Sequence, residues 1–171
     1  MKKIVVTSLA LFLFAGMGIA QKFAFVDSDY IMQNIPSYNA AQKELDKVSE
    51  DWEAEIAVQY EEIQTMYKTY QSERVLLTDE MKKKREGEII AKEQTVKDLQ
   101  RKYFGPEGDL AKRREELVKP IQDALYKAVK ELSAAGSYAV IFDTSSGASI
   151  LYSNPRYDLS DEVLKKLGYK N

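Results

Sequence analysis

The sequence predicts an α+β fold: a small β-sheet oligomerisation body carrying a long antiparallel α-helical coiled-coil hairpin as an arm. Three observations predict it. No Gly or Pro occurs between Tyr38 and Leu77, a stretch far longer than an ordinary globular helix. Short aromatic and β-branched runs stand near both ends, at Phe23 to Val26 and Tyr138 to Phe142, the composition of strands. Charges of both signs alternate through the middle of the chain, as they do on solvated helical faces.

Residues 1–20 read as a secretory signal peptide: Lys2 and Lys3, an apolar run from Ile4 to Ala15, then Gly18-Ile19-Ala20 before Gln21. The run falls short of the roughly 20 apolar residues of a membrane span. No Cys follows it to carry a lipid anchor, so the mature chain is expected to be free in the exported compartment. Removing Lys2 and Lys3 takes the 25 basic residues to 23 against 27 acids, a formal charge of −4. That is no electrostatic footprint for nucleic acid, which is not an expected partner.

The chain has no Cys and no His. Disulfides, thiol nucleophiles and the commonest zinc ligands are thereby absent, and hydrolysis by a Ser-His pair is excluded. No phosphate-binding loop occurs. Asp27 and Asp29 lack companions at a metal-binding or acid-base spacing, and helix capping accounts for them better; Asp143 has the same status. Neither a catalytic residue, a metal ligand nor a cofactor is assigned, and the chain is not read as an enzyme.

The first strand, Phe23 to Val26, opens the body, assigned to 21–37 and 136–171. The arm, 38–135, begins with a helix whose apolar residues Ala41, Leu45, Val48, Trp52, Ile56, Tyr60, Ile63, Tyr67 and Tyr70 recur at steps of three and four. At about 1.5 Å per residue that helix would be roughly 58 Å long. Leu77-Thr78-Asp79-Glu80 reads as a turn into a second helix capped by Thr78, which places the tip near 77–82. Met81, Ile89, Ile90, Val96, Leu99 and Tyr103 form its thin stripe, and two thin stripes satisfy each other in an antiparallel hairpin. Phe104-Gly105-Pro106-Glu107-Gly108 interrupts the pattern. Helix resumes near Asp109 with Leu110, Leu117, Ile121, Leu125, Ala128, Leu132 and Ala135, is bent by Pro120, and stops at Gly136. Gly105, Pro106, Gly108 and Pro120 are the expected hinges.

Tyr138 to Phe142 and Ala148 to Tyr152 read as a hairpin, with the first strand as neighbour. Both faces of Tyr138-Ala139-Val140-Ile141-Phe142 are apolar, so both are expected to be covered. Ser160, followed by Asp161 and Glu162, caps a last helix through Val163, Leu164 and Leu167. Without its arm the body has only about 53 residues, a size at which a lone core is marginal. With no disulfide or metal to staple it, association is the remaining device, and Phe25, Val26, Val140 and Phe142 are assigned to a homo-oligomer interface.

Taken in order and spacing, several segments resemble the Skp/OmpH family of periplasmic chaperones. They are Phe23-Ala24-Phe25-Val26-Asp27, Ile35-Pro36-Ser37-Tyr38, Ala41-Gln42-Lys43-Glu44-Leu45, Gly136 to Asp143 and Leu159 to Leu167. The resemblance covers essentially the whole mature chain, and the Phe104 to Gly108 break resembles a common variant of the family. It implies a periplasmic homotrimer with a β-rich body and three helical arms around a cavity. In that cavity an ATP-independent holdase would keep unfolded outer-membrane proteins from aggregating. On this reading Tyr60, Met66, Tyr67, Tyr70, Tyr103 and Phe104 contact clients through adaptable apolar side chains. The competing reading of those six is packing between the arm helices. Lys82-Lys83-Lys84-Arg85, beside the tip, is read as a contact for anionic lipid, lipopolysaccharide or an acidic client segment, against a plain solvated charge run. The rival function is a structural coiled-coil spacer or tether of the cell envelope.

Overall fold

The computed structural model describes residues 21–147 and 150–169, so the assigned signal peptide lies outside the described residues. In chain order the elements are β1 (Lys22–Val26), α1 (Ser28–Gln33), α2 (Pro36–Glu73), α3 (Asp79–Phe104), α4 (Asp109–Gly136), β2 (Tyr138–Asp143), a 3₁₀ turn (Pro155–Tyr157) and α5 (Ser160–Lys166). They divide into two units. One comprises the described residues up to Ile31 and from Tyr126 onward; the other is Met32–Leu125.

In the first unit β1 and β2 pair in parallel, with Phe23 opposite Val140, Ala24 opposite Ile141, Phe25 opposite Phe142 and Val26 opposite Asp143. A parallel pair cannot be closed by a tight turn. Everything from Asp27 to Ser137 is its crossover. Polar side chains fasten the strand ends. The Asp143 carboxylate accepts from the Ser28 backbone N–H at 3.1 Å and hydroxyl at 2.7 Å, and from the Ser145 N–H at 3.1 Å and hydroxyl at 2.9 Å. It thus satisfies the first orphan donor of α1 from across the chain, while Asp27 accepts from Tyr30 N–H at 2.9 Å as the local cap. Ala24, Val26, Ile31, Ala128, Leu159, Val163 and Leu164 are this unit's buried apolar residues.

The expected hairpin does not form. Ala148 and Ser149 lie outside the described residues, Ile150 to Tyr152 form no strand, and Leu151 is fully exposed. The reason lies in residues 143–146, whose polar groups turn back to Val26 and Ser28: Thr144 N–H donates to the Val26 carbonyl at 2.8 Å. The other side of β1 is taken by Asp158 and Leu159, with Leu159 N–H on the Phe25 carbonyl at 2.9 Å. Nor are both faces of β2 covered within one chain, since Val140 and Phe142 remain 42% and 41% exposed.

Ser160 is not the cap of α5. Leu159 occupies that position, and the Asp158 carboxylate takes the Ser160 N–H at 2.9 Å. The buried Ser160 hydroxyl instead links Asp158, at 2.6 Å, to the Asp27 N–H, at 2.9 Å. Helix α4 ends at Gly136, but the left-handed residue is Ser137, with φ 54°. Gly136 is required for another reason: a Cβ there would enter the Tyr138 ring.

In the second unit Pro36 starts α2 at the position where a missing N–H costs nothing. Thr78 caps α3, its hydroxyl accepting from Met81 N–H at 3.3 Å. Cross-helix partners identify the alignment: Glu62 with Lys92 at 2.6 Å, Tyr67 with Glu93 at 3.1 Å, Tyr70 with Glu86, and Glu55 with Tyr103 at 2.9 Å. From Glu55 to Tyr70 along α2 the partners step back along α3 from Tyr103 to Glu86. Ile56, Ile63, Val96 and Tyr103 form the seam's core, flanked by Trp52, Leu99 and Phe104. The interruption falls at 105–108, where Gly105 N–H still reaches the Arg101 carbonyl at 2.8 Å. A Cβ on Gly108 would lie 2.8 Å from three backbone atoms, so the tight turn needs glycine. Helix α4 then continues through Pro120.

Asp143 links the end of the sheet to pH. Burial raises its pKa, but the hydrogen bonds from Ser28 and Ser145 outweigh this and hold it below the ordinary 3.8. A carboxyl depressed in the folded state stabilises fully above its unfolded pKa and loses that stabilisation as pH falls through the folded value. Asp143→Asn is therefore expected to lower the urea midpoint at about pH 7, with the gap to wild type shrinking as pH falls below the ordinary carboxyl value of 3.8. A gap independent of pH would contradict this role.

Candidate functional site

Among the apolar side chains left exposed, two sets stand together with a candidate role: those of the helical hairpin and those on one face of the sheet. On the sheet, Phe23 and Phe25 pair with Val140 and Phe142 and so share a face. The Phe142 ring lies 6.3 Å from Phe23 and 5.8 Å from Phe25. Phe23, Val140 and Phe142 are each more than two-fifths exposed, leaving a continuous aromatic patch. Of the four residues assigned to an interface, Phe25, Val140 and Phe142 lie on this patch. Val26 alternates to the other face and is buried within its own chain.

The six aromatic and methionine residues singled out in the hairpin separate into two groups. Tyr103 is buried, its ring stacked on Trp52 at 4.4 Å with an interplanar angle of 4°. Phe104 meets Trp52 edge-on at 6.3 Å. These two belong to the seam. Tyr60 and Tyr67 are exposed, whereas Met66 and Tyr70 are half-buried. The Tyr67 and Tyr70 hydroxyls donate to Glu93 and Glu86, tying the edge of each ring to the neighbouring helix. For Tyr67, Tyr70 and Tyr103 the hydrogen bond to a glutamate is the largest cause raising the phenol pKa above 10.0. All three therefore remain neutral donors through the physiological range. Val58 and Ile90 are each more than half exposed as well.

At the tip, Lys82 pairs with Asp79 at 3.3 Å and Arg85 with Glu88 at 3.4 Å, both within one helix. Lys83 and Lys84 are exposed and have no ion pair among the described residues. Beside them Val75 and Leu76 are 88% and 84% exposed, and Met81 is half exposed. Sequence reading missed this apolar tip because Val75 and Leu76 fall outside the helical stripe and look like loop residues. It also missed the tyrosine-glutamate pairs. Their signal was present: the turn at Leu77 and Thr78 sets each partner roughly symmetrically about it. Among the described residues no group of His, Cys, Asp and Glu could hold a metal ion. No helix there is long and apolar enough to cross a membrane.

A small sheet and a long helical hairpin, each with apolar side chains left uncovered, are the build of a protein that works by its contact surfaces. Comparison with known proteins agrees. Residues 22–167 match the family model described as outer membrane protein (OmpH-like). The chaperone protein Skp of Yersinia enterocolitica is 25% identical over 161 residues, covering 94% of both chains. An uncharacterised protein of Aquifex aeolicus is 27% identical over 155 residues, 91% of both. A Caulobacter crescentus crystal structure, described as that of an OmpH-like outer membrane chaperone, superposes with a TM-score of 0.67 at 12% identity. It covers 86% of this chain and 83% of that one. The chain belongs to the Skp/OmpH family.

The Trp52–Tyr103 stack is the tightest aromatic contact of the seam, and Trp52 is the chain's one tryptophan. Tyr103→Ala is expected to destabilise the hairpin by roughly 3 kcal/mol, the scale of deleting a buried aromatic. Trp52 emission is expected to shift to the red in the same variant. An unchanged spectrum with unchanged stability would place the seam's weight elsewhere.

Proposed function

We propose that this chain is an ATP-independent periplasmic holdase that binds unfolded outer-membrane proteins and keeps them from aggregating. The observation that carries the reading is a helical hairpin whose seam is already filled, yet which still exposes Val58, Tyr60, Tyr67 and Ile90. Apolar surface left exposed along a hairpin in this way fits a contact site. Tyr and Met tolerate many partners because their contacts are broad and adaptable. Tyr60, Met66, Tyr67 and Tyr70 are the proposed client-contact residues on the arm, while Tyr103 and Phe104 pack with Trp52 in the seam. Membership of the Skp/OmpH family and the naming of a relative as a chaperone support the same reading.

Three copies joined through the Phe25, Val140 and Phe142 face would cover the aromatic patch and bring three arms around a common cavity. A client would then be released by its own folding, without hydrolysis. The decisive comparison is with an envelope spacer, the rival class. When a urea-unfolded outer-membrane barrel protein is diluted into buffer, the holdase is expected to suppress light scattering at close to one trimer per client. Scattering equal to that in buffer alone would favour the spacer.

The tip supplies a second contact in this proposal. Unpaired Lys83 and Lys84, next to the apolar Val75 and Leu76, suit an anionic lipid or lipopolysaccharide surface. Changing Lys82, Lys83, Lys84 and Arg85 to Gln is expected to leave the melting temperature nearly unmoved, because exposed pairs contribute at most about 1 kcal/mol each. Association with anionic vesicles should slow at low salt, and the difference should vanish as salt rises. Equal on-rates at low salt would reduce the cluster to a solvated helix face.

A further inference from the structure

The interruption at 105–108 faces an unbroken helix. Helix α2 runs from Pro36 to Glu73, past the point where the opposing chain breaks between α3 and α4. Ties to α2 stand on either side of that break. Tyr103, just before it, donates to Glu55 at 2.9 Å; Arg113, just after it, donates from Nε to Glu44 at 3.1 Å and from Nη2 to the same oxygen. Glu44 and Glu55 lie eleven residues apart, about three turns, and share one face of α2. Tyr103 and Arg113 lie ten apart, which in an unbroken helix would point Arg113 about 80° away from the direction of Tyr103. The turn at Gly105 to Gly108 resets the phase, so that both reach the same row of glutamates.

The two ties differ in kind. Tyr103 is buried against Trp52 and Phe104, where salt has little access. Arg113 and Glu44 are 48% and 42% exposed, open to screening. Arg113 also has a second partner, Glu116 of its own helix, at 3.9 Å, and thus somewhere to go when Glu44 is lost. The backbones of α2 and α3 run closely side by side, whereas the first turns of α4, from Asp109 to Glu116, bury no side chain. Across the turn itself the exposed Lys102–Asp109 pair, at 3.8 Å, adds an ionic tie.

We infer that the break is a latched joint: the aromatic cluster of Trp52, Tyr103 and Phe104 is its fulcrum, and the Glu44–Arg113 pair is an ionic latch that holds the start of α4 against α2. Releasing the latch loosens the start of α4, ahead of its buried Val118 and Leu125, and leaves the α2–α3 seam closed. The strength of an exposed pair suits this role, because it biases a two-state balance by about fivefold at most. Ionic strength, or an acidic segment competing for Arg113, then sets how far the joint opens.

The chain has no cysteine, so spin labels at K47C and E115C report on the latched side, and labels at E61C and K97C report on the seam. Each labelled protein is mixed with excess unlabelled protein, so that only distances within one chain are read. In 50 mM salt the K47C–E115C distances are expected to form one narrow population. E44Q or R113Q, and equally wild type in 1 M NaCl, should raise a longer-distance population severalfold, and the swap E44R with R113E should restore the narrow one. The E61C–K97C distances should stay unchanged throughout. Identical K47C–E115C distributions in wild type, E44Q and high salt would overturn the latch, as would equal broadening at both label pairs.

Discussion

Parallel pairing of Lys22–Val26 with Tyr138–Asp143 is the constraint on which the rest of the structure depends. Two parallel strands require a long crossover, and here that crossover is most of the chain. Closing a loop of this length costs entropy that grows only slowly with length, and helices shorten the effective path by ordering it locally. The closure is secured at one place: the Asp143 carboxylate with Ser28 and Ser145, Thr144 on the Val26 carbonyl, and Ser160 between Asp27 and Asp158. The bonds to Ser28, Val26 and Asp27 tie residues more than a hundred positions apart. Each satisfies a backbone or hydroxyl group that would otherwise be left without a partner in a crowded site.

What this closure leaves undone explains the proposed function. A two-stranded sheet is marginal alone, and this one presents Phe23, Phe25, Val140 and Phe142 on an open face. The hairpin is likewise thin, its seam held by Ile56, Ile63, Val96 and Tyr103 with tyrosine-glutamate pairs along the edges. Neither part uses all its apolar surface internally. On the sheet the surplus is fixed in position and self-complementary in chemistry, which fits copies of the same chain. On the hairpin it is dispersed over Val58, Tyr60, Tyr67 and Ile90, which fits loosely structured partners.

The long-range architecture was legible where local chemistry dictates local structure. Thr78 followed by two acids marks a helix start whatever the surroundings, and the Phe104 to Gly108 interruption follows from a missing backbone donor and two glycines. The strand runs at both ends were recognisable from β-branched and aromatic residues alone. What failed depended on distant partners. Ile150 to Tyr152 look like a strand, but the place beside β1 is filled by Asp158 and Leu159, which no local pattern announces. Ser160 looks like a cap, yet its hydroxyl is drawn to Asp27, far back in the chain. Of the hairpin aromatics, spacing alone could not separate Tyr103, which is buried and stacks on Trp52, from Tyr67, which bonds Glu93 and stays exposed. The helical period is the same for both, and the difference lies in which neighbour the opposite helix supplies.

Hydrogen exchange across a protein dilution series tests the central claim most directly, that the open sheet face is closed by further copies of the chain. The amides of Val140 to Phe142 would be followed beside the native mass at each concentration. The account predicts slow exchange while the mass is that of an oligomer, and a sharp loss of protection at the dilution where the mass falls to one chain. The hairpin amides near Val96 should change far less, because their seam lies within one chain. Strong protection of Phe142 in a chain that is monomeric at every concentration would contradict it.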